Sequence, residues 1–93
     1  MKLPVKYRDI PIHDRKVVRA AYTEKQEGLC YHCRSSLADL PPKSIRQIQV
    51  TSSLFPPTFF NYPVHLHHSH ASGLTIGAVH AYCNAVLWQY HGE

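Results

Sequence analysis

The sequence predicts a small α+β domain, built from an N-terminal helix, a β-hairpin and a closing helix and stapled by a zinc ion. Three observations predict it. Val17, Val18, Ala21 and Tyr22 form one apolar stripe ahead of Gly28, as an amphipathic helix would. Residues 64 to 68 alternate, with Val64 and Leu66 on one face and His65 and His67 on the other, as a half-buried strand does. Cys30-x-x-Cys33 and His80-x-x-Cys83 are two ligand pairs of equal internal spacing, with 46 residues between them. The chain reads as one domain over residues 1 to 93, in four parts.

Residues 1 to 12, with Pro4 and Pro11, read as an irregular basic arm that could contact phosphate, because proline disfavours helix and removes a backbone donor. Residues 13 to 34 hold the helix and the first cysteine knuckle. Asp14 is placed to cap that helix and Gly28 to end it in a left-handed turn. Arg15, Lys16 and Arg19 fall largely away from the stripe. They read either as a solvated face or as a DNA-facing one, and Arg34 in the knuckle joins them as a candidate contact. Residues 35 to 63 form a connection with five of the seven prolines. A weak short strand is expected across Ile45 to Val50, and Phe55, Phe59, Phe60 and Tyr62 read as cover for a small core. Residues 64 to 91 complete the domain: a strand to His68, a turn over Ser69 to Thr75, a return strand Ile76 to His80, and a helix from Asn84 to Tyr90 stopped by Gly92.

A chain of this length buries only a modest fraction of its surface on folding, so a staple is expected. Three cysteines cannot all pair as disulfides, and the two-residue spacing suits metal ligation, although Cys30 and Cys33 alone could form a redox pair. Cys30, Cys33, His80 and Cys83 together make a Cys3His zinc set, with His32 or His91 as substitutes for His80. Closing so long a loop couples metal binding to folding.

Net charge is +4, modest support for a polyanionic partner. All ten Lys and Arg lie between Lys2 and Arg46, whereas six of the eight His lie at His65 or beyond. The polar chemistry of the second half therefore runs on imidazole, hydroxyl and amide groups. No apolar stretch is long enough to span a bilayer, and the N-terminus lacks the core of a signal peptide, so a soluble cytoplasmic protein with no membrane partner is expected.

The segment from His67 to Asn84, HHSHASGLTIGAVHAYCN, resembles without a gap the signature of HNH nucleases of the phage endonuclease VII group, Asp-His-x-His-x-Thr-Gly-x-x-Arg-Gly-x-x-Cys-x-x-Cys-Asn. Gln26 to Cys33 is similar to that family's helix end and first knuckle. The resemblance spans roughly residues 15 to 37 and 64 to 91. It implies a ββα-metal (His-Me finger) fold and a metal-dependent DNA endonuclease, of a group that includes phage-encoded enzymes acting in the host cell. Carried over position by position, His67 and Asn84 hold a catalytic divalent ion, His68 is the general base that activates water, and His70 assists. The His67-His68 pair at this place is similar to the colicin-type DNases, where the first histidine is a metal ligand.

Three positions depart from the pattern. His67 stands for Asp, His80 for a zinc Cys, and Ile76 for an Arg that would contact phosphate. With no carboxylate at the motif, the site should accept Mn²⁺, Co²⁺, Ni²⁺ or Zn²⁺ as readily as Mg²⁺. One such site cuts one strand, so double-strand cleavage would need a homodimer. The competing readings are a non-catalytic zinc module that binds nucleic acid and a zinc module for metal sensing or protein contact. His65 and His91 are assigned to surface or packing.

Overall fold

The computed structural model describes Lys2 to Gly92; Met1 of the arm and the terminal Glu93 lie outside the described residues. Its regular elements are α1 (Arg15–Lys25), the single-turn α2 (Lys43–Arg46), β1 (Val64–His68), β2 (Thr75–His80) and α3 (Ala81–His91), with short 3-10 turns before α1 and in the connection. The strands pair antiparallel, Val64 opposite His80 through His67 opposite Gly77, and both helices pack on this hairpin.

β1 has the bounds its alternation predicts. Burial is heavier than a half-exposed strand would show, because Leu66 and His67 are both buried, with buried Ala78 and Gly77 opposite them. The core joins Val18 and Tyr22 of α1 to Leu66, Ala78 and Val79 of the hairpin and to Cys30, Leu37 and Cys83. α3 begins at Ala81, three residues earlier than expected, so its first turn carries Cys83 and its second Asn84. It ends at Gly92 as the sequence predicts.

The inward face of α1 differs from the expected stripe. Val18 and Tyr22 are buried but Val17 is 49% exposed. The buried face runs through positions 15, 18, 19, 22 and 26, which a period of 3.6 brings into line. Arg15 and Arg19 therefore belong to the hairpin side of the helix and not to its far face. Asp14 occupies the N-cap position, but its side chain makes no capping hydrogen bond and pairs instead with exposed His13 at 3.5 Å. Gly28 takes φ 77° three residues beyond the helix end, where a Cβ would be strained.

The arm is not free. Val5 N–H donates to Thr75 Oγ1 (3.0 Å), Thr75 N–H returns to the Val5 carbonyl (2.9 Å), and Tyr7 N–H donates to the Gly73 carbonyl (2.8 Å). Tyr22 Oη reaches the same Thr75 hydroxyl at 2.7 Å, so the buried Thr75 ties arm, helix and hairpin together.

The expected strand at residues 45 to 50 is absent. Pro42 instead starts the turn of α2, whose Arg46 Nε–H donates to the Pro41 carbonyl at 2.9 Å. The rest of the connection runs along α3, held where Tyr82 Oη donates to the Ile48 carbonyl and Thr51 N–H to Gln89 Oε1. Among the described residues no helix is long and apolar enough to cross a membrane.

Candidate metal centre and histidine cleft

The first knuckle is a tight loop. Arg34 N–H donates to the Cys30 carbonyl (2.9 Å), Cys30 N–H to the Ser35 carbonyl (2.8 Å), and Arg34 itself has φ 66°. This loop docks on β2, with Tyr31 N–H donating to the Ala78 carbonyl at 2.9 Å. Gln26, at the end of α1, serves the same edge with its side chain: Ala78 N–H donates to Oε1 (2.9 Å) and Nε2–H donates back to the Ala78 carbonyl (2.9 Å). Gly77 is what admits this approach, since a Cβ there would lie 2.7 Å from Gln26 Oε1 and 3.0 Å from the Tyr31 side chain.

The docking brings Cys30 and Cys33 to His80, at the end of β2, and Cys83, in the first turn of α3. The four donor atoms lie within 4.8 Å of one another, positioned to bind a metal ion. His80, not His32 or His91, is the imidazole of the set. Its Nε2–H donates to the Ser36 and Asp39 carbonyls (2.9 and 3.0 Å), which leaves the Nδ1 lone pair facing Cys33 Sγ at 3.4 Å and Cys83 Sγ at 3.7 Å. A backbone partner that fixes the tautomer in this way is the usual companion of a metal-ligating histidine. The Cys83 thiol, hydrogen-bonded to Cys30, draws the Cys30 thiol down to about 4 and is itself pushed up.

A cleft of about 500 Å³ opens between α1 and α3, with β1 at its base. His67, His68, His70 and Asn84 all line it, as do Arg15 and Arg19. Neighbouring residues of a regular strand point to opposite faces, so His67 and His68 would not ordinarily share a cleft. The pairing shifts between His67 and His68, leaving Ile76 as an extra residue of β2, so the regular ladder breaks at this pair. His67 is 4% exposed, whereas His68 is half-buried.

His68 stacks on Tyr7 of the arm, with ring centroids 4.0 Å apart and planes 9° from parallel, and meets His70 edge-on at 5.1 Å. The Arg15 guanidinium lies 4.4 Å from the Tyr7 ring centroid. Burial first, then the charges of His70, His67 and Arg15, push the His68 pKa down, so the ring stays in the neutral form that can accept a proton. Arg15 Nε is buried with no hydrogen-bond partner, and among the described residues neither Arg15 nor Arg19 pairs with a carboxylate.

Comparisons with protein-family models, with curated proteins and with solved structures find no match to this chain.

His65, assigned on sequence to surface or packing, lines the same cleft. Its Nε2–H donates to the Phe59 carbonyl (2.8 Å), and Asn84 Nδ2–H donates to the Nδ1 that this leaves free (3.1 Å). Burial pushes its pKa down, in keeping with this neutral tautomer. The relay fixes which end of the Asn84 amide is spent, and its Oδ1 is the group left over. The signal for His65 was its alternation with His67, which put both on one face.

The other expected residues separate from the cleft. Lys16 is exposed on a groove beyond Arg19, and Arg34 sits over Tyr31 at 5.3 Å on the knuckle. Ile76, at the position of the family Arg, lines a second pocket with Tyr31, His32, Leu87 and His67, the last of which also lines the cleft. His91 is exposed. The aromatic group of the connection only partly covers the core. Phe55 and Phe59 are half-buried, Tyr62 is 66% and Trp88 of α3 42% exposed, and all four form the cleft's second wall.

Proposed function

We propose that the chain is a metal-dependent endonuclease that hydrolyses phosphodiester bonds in DNA, with a structural zinc at Cys30, Cys33, His80 and Cys83. Zinc suits a buried set of three sulfurs and one imidazole nitrogen better than other common ions do. The observation that carries the nuclease reading is the cleft itself. It gathers His67, His68, His70 and Asn84 from a hairpin and the helix after it, beside two arginines without acidic partners.

His67 and Asn84 are the residues that would hold the catalytic ion, Mg²⁺ or Mn²⁺ or one of Ni²⁺, Co²⁺ and Zn²⁺. Bound there, the ion would offset charge gathering on the phosphate and ease departure of the 3′ oxygen. His68 takes a proton from the attacking water as its oxygen bonds to phosphorus and the bond to the 3′ oxygen breaks. The products are a 5′ phosphate and, after protonation from solvent, a 3′ hydroxyl. Arg15 and Arg19 bind the phosphate, a task that Ile76 cannot perform. His70 orients it.

Incubation of supercoiled plasmid with the zinc-loaded protein and added Mg²⁺ or Mn²⁺ is expected to give nicked circles. Intact plasmid across the whole series of divalent ions would sink the reading. One observation favours a second reading, a non-catalytic zinc module that binds nucleic acid. Among the described residues, the Cys3His set is the one group of three or more His, Cys, Asp or Glu close enough to share an ion. That reading predicts DNA binding with no cleavage.

A further inference from the structure

The cleft has two unlike walls. Arg15 and Arg19 stand on the α1 side, while Leu54, Phe55, Tyr62 and Trp88 stand on the side of the connection and α3. This second wall is not spare core. Leu54, Tyr62 and Trp88 are 49%, 66% and 42% exposed. The rings brace one another: Phe55 packs against Phe59 at 4.7 Å and edge-on against Trp88 at 5.5 Å, and Phe59 meets His65 edge-on at 4.5 Å. Through His65 the aromatic wall is joined to the hydrogen-bond relay that holds Asn84.

Exposed aromatic rings and guanidinium groups that, among the described residues, lack carboxylate partners face each other across one cleft and match a polymer that offers rings and phosphates together. A DNA duplex does not do so, because its stacked bases show only their edges in the grooves and keep their ring faces covered. An unpaired strand offers both. We propose that Tyr62 and Trp88, the latter braced by Phe55, stack an unpaired nucleobase next to the phosphate held by Arg15 and Arg19, so that the preferred substrate is single-stranded DNA. The inference deepens the nuclease reading and takes from it the identity of that phosphate.

Trp88 is the only tryptophan of the chain, so its fluorescence reports directly on a base stacked against it. The experiment titrates the zinc-loaded protein, without further divalent ion, with a short mixed-sequence oligodeoxynucleotide and with its blunt duplex. Stacking on an aromatic ring strengthens binding by about five- to 150-fold per base. The single strand is expected to quench Trp88 and to bind at least about fivefold tighter than the duplex. Tyr62→Ala, at an exposed position that leaves the reporter in place, should remove that preference without weakening the duplex complex. Equal quenching and equal affinity for the two forms, or a Tyr62→Ala protein that keeps the preference, would overturn the proposal. Binding is read without cleavage, so the two readings fail separately. Plasmid nicking with no strand preference removes the stacking proposal alone. Single-strand quenching by a protein that cleaves under no ion upholds it and removes the nuclease.

Discussion

In the proposed nuclease, His68 and His65 divide the cleft's work between them. His68 is half-buried, stacked on Tyr7 and held neutral by burial, which suits a proton acceptor. His68→Ala removes that acceptor while leaving the zinc set and the core untouched. Strand cleavage is expected to fall by about 10²- to 10⁴-fold with zinc content and circular dichroism unchanged; full activity in the variant would remove His68 as base. His65 acts at one remove, through its hydrogen bonds to Asn84 and the Phe59 carbonyl. Residues that orient a metal ligand typically contribute about 10- to 100-fold to metal affinity or activity. His65→Ala should therefore raise the Mn²⁺ concentration needed for half-maximal cleavage by about that factor. A merely structural role would instead lower stability and leave the metal requirement as it was. That His67, His68, His70 and Asn84 line one cleft was legible through the gapless resemblance to the HNH signature, which implies one hairpin and the helix after it. His65 was half legible. Alternation gave its face, but its partners Phe59 and Asn84 come from segments whose meeting no local pattern encodes.

At the scale of elements, the knuckle, β2 and the start of α3 form one unit whose join is the four-ligand set. Few of its parts are stable alone: a two-stranded hairpin is marginal by itself, and the connection is largely irregular. Removing the ion should therefore unfold the domain as a whole. The purified protein is expected to carry one zinc per chain, and a strong chelator should abolish its helical signal, reversibly on adding zinc back. A chain that kept its fold in chelator would show that the cysteines are not its staple. Gly77 tests the same join by packing. A Cβ there lies 2.7 Å from Gln26 Oε1, so Gly77→Ala should push the knuckle off β2 and lower stability by about 1–3 kcal/mol in chemical denaturation. The strands, both helices and the ligand set follow from periodicity and short spacings, which one stretch of sequence carries by itself. Three features do not. Whether Arg15 and Arg19 face inward depends on which side of α1 meets the hairpin. The arm becomes ordered only because Thr75 and Gly73 offer it partners, and residues 45 to 50 take their shape from Pro42 and from contacts along α3.

For the whole molecule, charge and donor chemistry set what the cleft can hold. The half of the chain that carries the proposed catalytic hairpin contains no Lys or Arg, and the cations that reach the cleft come from α1. A proposed ligand pair of one imidazole and one amide brings no negative charge to the ion. Mg²⁺ depends on carboxylate and phosphate oxygens and loses water reluctantly, so it gains little from such a pair, whereas imidazole suits Mn²⁺, Co²⁺ and Ni²⁺ increasingly well. Across a series of divalent ions, cleavage by the zinc-loaded protein is expected to be faster with Mn²⁺, Co²⁺ or Ni²⁺ than with Mg²⁺. His67→Asp restores a carboxylate and should move the preference back toward Mg²⁺ while the structural zinc stays bound. Strict Mg²⁺ dependence of the unaltered chain, or a preference that His67→Asp leaves in place, would show that His67 does not hold the ion. The same plasmid reaction reports on assembly. One cleft cuts one strand, so a monomer should accumulate nicked circles, and linear product rising with the square of protein concentration would mark a homodimer that places two clefts on one duplex.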